Sequence, residues 1–225
     1  MAWIVRGIIF YKGGAMRRKM RIAINGFGRI GRNFLRAVLQ DPQAHEKLQI
    51  VAINVGLAKV DFVGHMFKYD TLMGTYPGLV SSVGDELIVD NRHIKIVNEL
   101  DPQLIPWKQL AIDWVVECTG KFTNRAGAEK HLTAGAKYVL ISAPAEGEDV
   151  AIIPGVNEAD FNKNNDHIVS LGSCTTNAFM TMLKVLYDAF GIEKGFMTTI
   201  HAYTNTQVLL DVNDTDLRRA RAAAL

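Results

Sequence analysis

Cys174 and His201 are of types that can act as nucleophile and as proton acceptor, and their settings in the sequence single them out. Cys174 stands in Ser173-Cys174-Thr175-Thr176-Asn177. Before it, Ile168-Val169-Ser170-Leu171 reads as a short strand; after it, Phe179, Met182, Leu183, Leu186 and Phe190 recur at helical spacing until Gly191. The pattern predicts a thiol at a helix N-terminus, where unpaired N–H groups and the positive end of the macrodipole favour the nucleophilic thiolate. His201 closes the β-rich run Phe196-Met197-Thr198-Thr199-Ile200, and a strand end is where an α/β fold displays catalytic groups. Each residue also has a quieter reading. A cysteine can be a small buried hydrophobe, as expected for Cys118 within Asp113-Trp114-Val115-Val116-Glu117-Cys118, and a histidine at a strand end can be a satisfied polar residue.

The elements that must position these groups alternate in type from Met20 onward. Residues 21–25 and 48–54 read as strands around a helix over 30–39 that Asp41-Pro42 halts, which makes a βαβ unit and hence a parallel sheet. Further strands are predicted at 86–89, 93–97, 114–118, 138–142 and 150–153, with helices around 60–67 and 125–133. The order predicts an α/β fold, a Rossmann-type doubly wound parallel sheet with a short antiparallel insertion between Tyr76 and Val97.

The first βα turn reads Gly26-Phe27-Gly28-Arg29-Ile30-Gly31. Gly26 suits a tight turn, Gly28 lets a pyrophosphate approach the backbone, and Gly31 lets helix and strand pack closely, with the anion at the helix N-terminus. The end of the second strand should carry an acidic residue for the adenosine ribose, but Asn54-Val55 stands there. A carboxylate would repel a 2′-phosphate, so its absence predicts that NADP is tolerated or preferred beside NAD, with Lys59 the one candidate to pair with that phosphate.

Composition narrows the classes. A net charge of +2 over 225 residues argues against nucleic acid as the main partner, and no apolar run is long enough to span a bilayer. Two cysteines give no disulfide framework and fit a reducing, cytoplasmic setting; no metal site is expected. Residues 1–19 stand apart. Arg6, Lys12, Arg17, Arg18 and Lys19 occur with no acidic residue, and the segment reads as a disordered extension, either an Arg-rich presequence or the product of a start codon upstream of one near Met20.

Asn25-Gly26-Phe27-Gly28-Arg29-Ile30-Gly31-Arg32, Ser173-Cys174-Thr175-Thr176-Asn177, His201-Ala202-Tyr203-Thr204-Asn205 and Asp216-Leu217-Arg218-Arg219-Ala220-Arg221 together resemble the phosphorylating glyceraldehyde-3-phosphate dehydrogenases, from about Met20 to Leu225. The resemblance implies a dinucleotide domain over 20–172 and, from 173 to 225, the beginning of an α+β catalytic domain. It implies that Cys174 attacks an aldehyde carbon and that His201 takes the hydroxyl proton. Ser173, Thr175, Thr204 and Arg219 would bind phosphate, and Arg29, Ile30 and Thr119 would contact the cofactor beside Gly26, Phe27, Gly28, Gly31, Asn54 and Val55. The partners implied are a small phosphorylated aldehyde and inorganic phosphate, in a homotetramer. Gly172, Ala178, Leu100 and Val55 depart from the family pattern. Leu225 falls just inside the family's catalytic domain, so the strand leading to His201 is expected to lack neighbours and to leave apolar surface exposed; the polypeptide alone is expected to be poorly soluble or inactive. Erythrose-4-phosphate dehydrogenase and a catalytically silent dinucleotide-binding fragment remain the competing readings.

Overall fold

A computed structural model describes residues 18–224, so the expected extension over 1–19 lies outside the described residues except for Arg18 and Lys19. The described residues divide into two compact units, one running to Ala189 and one from Phe190. The first is built on a nine-stranded sheet. Its strands are β1 (Met20–Asn25), β2 (Leu48–Asn54), β5 (Val80–Val83), β6 (Glu86–Val89), β7 (Arg92–Val97), β8 (Trp114–Glu117), β9 (Tyr138–Ile141), β10 (Val150–Ala151) and β11 (Ile168–Ser170), and β3 (Tyr69–Asp70) pairs with β4 (Gly74–Thr75) separately. The order across the sheet is β10-β11-β9-β8-β1-β2-β7-β6-β5. Pairing is parallel from β10 to β7, and β5 and β6 form the expected antiparallel insertion.

Alternation along the strands divides the core between the two faces of the sheet. Met20, Ile22 and Ile24 of β1 pack with Phe34, Leu35 and Val38 of α1 (Arg29–Gln40) and with Val63 and Phe67 of α3 (Val60–Lys68). Ala23 and Val115 face the other way, against Ile105, Trp107 and Ile112. Farther along, Val139, Ile141 and Ile168 cover Ala128 of α4 (Arg125–Thr133). Phe34, Phe67 and Trp107 are fully buried, each contributing about 2–3 kcal/mol of transfer free energy. In β2 the pattern changes parity, since Leu48, Ile50 and Ile53 share one face. The register slips there: Ile22 pairs with Ile50 but Ala23 with Ala52, so Val51 is the extra residue of a bulge. That bulge brings Asn54 level with Asn25 at the carboxyl ends of the strands.

The first helix stops at Gln40, as its Asp-Pro signal requires, but a second short helix, α2 (Pro42–Lys47), follows at once. Asp41 is its cap: Oδ1 accepts from the N–H of Gln43 at 2.9 Å and of Ala44 at 3.2 Å, while Pro42 starts the helix without needing an N–H.

The unit from Phe190 carries one correction. Among the described residues after Phe190 there is no helix or strand, and the strand expected over 196–200 is not formed. Phe196 and Ile200 are fully exposed. β-Branched and aromatic residues favour a strand only where a neighbour supplies hydrogen bonds and a face to pack on. The unit is closed instead by turns, with Val212 N–H donating to Ala220 O at 3.1 Å and Ala223 N–H to Val208 O at 2.9 Å. The apolar stripe expected on the helix after Cys174 is exposed as well, at Met182, Leu186 and Phe190.

Candidate active site

Cys174 is the first residue of α5 (Cys174–Phe190), directly after β11, and is exposed. The turn that presents it is built by its neighbours. Gly172 has φ +64°, a conformation strained for any residue with a Cβ, which accounts for glycine at this position. The N–H of Thr176 donates to Ser173 Oγ at 2.9 Å, the bond of an N-cap serine, and the two hydroxyls lie 2.7 Å apart. Asn177, buried under the turn, donates through Nδ2 to Leu171 O at 2.7 Å and to Ser173 O at 2.8 Å. Strand end, cap and first helical turn are thereby one rigid piece. Asn177 and Thr176 were visible in the sequence only as members of a motif; their structural role follows from the side-chain hydrogen bonds. Thr175 lies half-buried next to the thiol. Cys118 is in a different setting: burial pushes its thiol up to about 12, reinforced by the Glu117 carboxylate against a hydrogen bond from Ser142.

The second group of candidates meets at the carboxyl ends of β1, β2 and β8, where the strand order reverses between β1 and β8. Gly26 has φ +90°, and a Cβ there would lie 2.8 Å from Thr119 Cγ2 and from Thr119 N. A Cβ on Gly31 would lie 2.2 Å from Gly26 O, so helix and turn touch. Gly28 differs from both: its φ is −75° and nothing lies within 4 Å of where a Cβ would be. No side chain caps α1, and the first N–H that finds a helical carbonyl is that of Arg32, to Gly28 O. An open face, a glycine and uncapped N–H groups fit the pyrophosphate of a dinucleotide.

Arg29 reaches this site through its backbone, because its guanidinium is tied to Asp70 at 2.7 and 2.8 Å. Burial alone would raise the Asp70 carboxyl, but the N–H groups of Met73 and Leu72 together with Arg29 hold it at about 2. Phe27 lies over Phe67 with ring centroids 6.2 Å apart, and Ile30 packs on the core. Asn54 is buried with its amide spent on protein: Nδ2 donates to Asn25 Oδ1 at 2.7 Å and Glu99 O at 2.9 Å, and Oδ1 accepts from Glu99 N–H at 2.9 Å. The loop after Val55, from Gly56 to Ala58, borders a shallow depression of about 470 Å³, lined also by Lys59, Asp61 and Asn98. Lys59 is the N-cap residue of α3, with Asp61 in the first turn, and Leu100 adjoins the loop at Gly56.

His201, Thr204 and Arg219 belong to the second unit. His201 is exposed, with Nδ1 2.6 Å from Ala202 O. Thr204 N–H donates to Gln207 Oε1 at 2.8 Å, and Arg219 N–H donates to Asp216 O at 2.8 Å. Among the described residues, no helix is long and apolar enough to cross a membrane.

Comparison with known proteins gives the same family twice. The family model described as glyceraldehyde 3-phosphate dehydrogenase, NAD binding domain, matches residues 20–125, and the one described as glyceraldehyde 3-phosphate dehydrogenase, C-terminal domain, matches residues 173–225. The glyceraldehyde-3-phosphate dehydrogenase of Streptomyces coelicolor is 50% identical over 205 residues, that of Thermotoga maritima 48% and that of Geobacillus stearothermophilus 46%. Each alignment covers 91% of this chain and 60% of the relative, so the chain spans about three fifths of the length of these relatives. Crevice, cysteine turn and both matches agree in order along the sequence, and the chain belongs to the glyceraldehyde-3-phosphate dehydrogenase family.

Proposed function

We propose that this chain carries the dinucleotide site and the nucleophile of an NAD(P)-dependent oxidoreductase that converts glyceraldehyde 3-phosphate and inorganic phosphate to 1,3-bisphosphoglycerate, or runs the reverse. The observation that carries this reading is an exposed thiol at the first position of a 17-residue helix, on a turn held by Ser173 and Asn177. The partial positive charge of the helix N-terminus favours the anion there. The Cys174 thiolate attacks the aldehyde carbon and forms a C–S bond as the carbonyl π bond opens to an oxyanion; His201, holding the proton lost by the thiol, gives it to that oxygen and takes it back from the hydroxyl as the hydride leaves. The nicotinamide, when bound, supplies the hydride acceptor that turns this adduct into a thioester. Phosphate attacks the thioester carbonyl, and the Cys174 thiolate leaves. Ser173, Thr175, Thr204 and Arg219 are assigned to the phosphate groups, for which hydroxyls and a guanidinium are suited partners. Gly26, Gly28, Gly31 and the N–H groups of Arg29 and Ile30 bind the dinucleotide, and Thr119 lines its crevice. NADP is accepted beside NAD, since Val55 leaves the ribose without a carboxylate. The setting is cytoplasmic, the complete enzyme a homotetramer, in glycolysis or gluconeogenesis.

The test is reduction of NAD and of NADP by the chain with glyceraldehyde 3-phosphate and phosphate, with erythrose 4-phosphate in parallel. Iodoacetamide should label Cys174 and spare Cys118, and Cys174→Ser should abolish the aldehyde-dependent signal. A faster reaction with the four-carbon sugar selects erythrose-4-phosphate dehydrogenase. A folded chain that binds NAD but reduces none with either aldehyde is a silent dinucleotide-binding fragment. Clear discrimination against NADP in a binding titration ends the dual-cofactor reading.

A further inference from the structure

The end of the sheet opposite the glycine turn holds a second concavity. β1, β2 and β7 run parallel, so Met20, Leu48 and Arg92 open them at the end away from Gly26 and Asn54. β2, seven residues long, puts about 20 Å between Leu48 and Asn54. At its starting end a cavity of about 360 Å³ is cut between β2, β7, α1 and α2. That is the volume of a pocket for a small ligand, and no step of the proposed reaction uses it.

The interior and the mouth of this cavity differ in chemistry. The interior is apolar: Val38 of α1, Leu48 and Ile50 of β2 and Ile94 of β7 are buried core residues whose edges it reaches. The mouth is basic, with Lys19, His45, Arg92 and His93, and among the described residues that line the cavity there is no carboxylate. Lys19 Nζ donates to His45 O, in the last turn of α2, at 2.7 Å, which holds the ammonium over the opening. Arg92 Nη2 lies 3.3 Å from His45 Nε2, and since a guanidinium only donates, the imidazole nitrogen accepts. Burial, then Arg92 and Lys19, push the His45 pKa below its ordinary value against the pull of Glu46, so the ring is neutral at pH 7. His93 turns to Glu86 at 2.7 Å. Two permanent cations remain at the mouth, and the salt bridge of Arg92 to Asp90 is 3.9 Å long, so its charge is only loosely offset.

Like charges gathered at the rim of an apolar cavity repel one another, and a bound anion removes that conflict. We propose that this cavity is a binding site for a phosphate monoester with a ring-sized apolar body, its phosphate held by Lys19 and Arg92 and its body against Leu48, Ile50 and Ile94. Ammonium and guanidinium are both phosphate binders, and a dianion matches two cations where a carboxylate brings a single charge. The site shares no residue with the crevice and does not depend on the dinucleotide reading.

Calorimetric titration with phenyl phosphate, at saturating NAD so that the crevice is filled, tests it. The wild-type chain should bind phenyl phosphate with a Kd below about 1 mM; Arg92→Gln should weaken it about tenfold or more and Lys19→Gln about threefold or more. Both variants keep a donor and remove a charge, and Lys19→Gln, at an exposed residue, decides the matter should Arg92→Gln fail to fold. Inorganic phosphate, which lacks the apolar body, and benzoate, which lacks the second charge, should each bind about tenfold more weakly or worse. NAD affinity should be the same in the wild type and both variants. No binding of phenyl phosphate, binding that neither variant weakens, or inorganic phosphate or benzoate bound as tightly as phenyl phosphate would overturn the proposal. So would NAD affinity that falls in step with the variants, since the site would then belong to the crevice.

Discussion

Gly28 and Gly31 stand three residues apart in one turn, yet adding the same methyl group to each should give opposite results. At Gly31 the new Cβ would be placed 2.2 Å from Gly26 O and 3.1 Å from Ile24 Cγ2. An ordinary carbon–oxygen contact needs more than about 3 Å, so the helix must back away from the strand by about 1 Å. Overpacking of that kind costs about 1–3 kcal/mol, and backbone on both sides leaves little room to relax. At Gly28 the methyl group meets nothing and φ is already negative, so neither clash nor strain arises. The sole structural cost is alanine as a poorer N-cap than glycine, about 0.5–1 kcal/mol. The methyl group would, however, fill the space through which a pyrophosphate reaches the N–H groups of α1, and NAD affinity should fall by about 10- to 100-fold. Urea unfolding and NAD titration of both variants make the comparison. Gly31→Ala should lose stability and binding together; Gly28→Ala should lose binding with a smaller fall in its unfolding midpoint, a few tenths of a molar in urea. A Gly28→Ala chain that binds NAD like wild type would refute the placement of the pyrophosphate, and a stable Gly31→Ala chain would refute the contact between turn and helix.

Two further outcomes follow from groups outside the crevice. Burial alone would raise the Asp113 carboxyl, but Arg18, the N–H of Arg21 and Lys137 hold it at about 2. A depressed carboxylate stabilises the fold fully above its unfolded value near 3.8, and the contribution is lost as pH falls from there through about 2. The shift corresponds to at most about 2 kcal/mol, less for screening at Arg18 and Lys137, whose side chains are more than half exposed. Asp113→Asn should therefore be less stable than wild type at pH 7, with the gap closing by pH 2; a gap that persists at pH 2 would point to packing instead. Asn177→Ala removes two hydrogen bonds that tie Leu171 and Ser173 to α5, and should cost about 2 kcal/mol and change the rate at which iodoacetamide alkylates Cys174. Unchanged alkylation with lowered stability would mean that the turn keeps its geometry without that amide.

The contrast between Cys174 and Glu117 marks how far the sequence could be read. The setting of Cys174 is local: a strand, a left-handed Gly172, a serine cap and a helix follow one another within about ten residues, and propensity with capping chemistry suffices to predict them. The glycine turn is legible for the same reason, since steric demands at Gly26 and Gly31 come from chain segments whose order the βαβ pattern already implies.

Glu117, the last residue of β8, reads in the sequence as one more residue of an apolar strand, yet its buried carboxylate accepts hydrogen bonds from Asn25, Thr119 and His131. These partners, with Trp107 behind them, converge because the parallel sheet stacks β1 against β8 and α4 lies over that edge; Asn25 and His131 are 106 positions apart. The bulge at Val51 is likewise invisible locally, for it exists to reconcile two strands in register. The run over 196–200 shows the limit from the other side. Its composition is that of a strand, but a strand is a property of a pair, and the described residues supply it no neighbour. Sequence alone determined which residues can do the chemistry and the short elements that carry them. Tertiary structure decided which buried polar groups meet, because hydrogen bonds between distant segments depend on sheet order and register rather than on spacing along the chain.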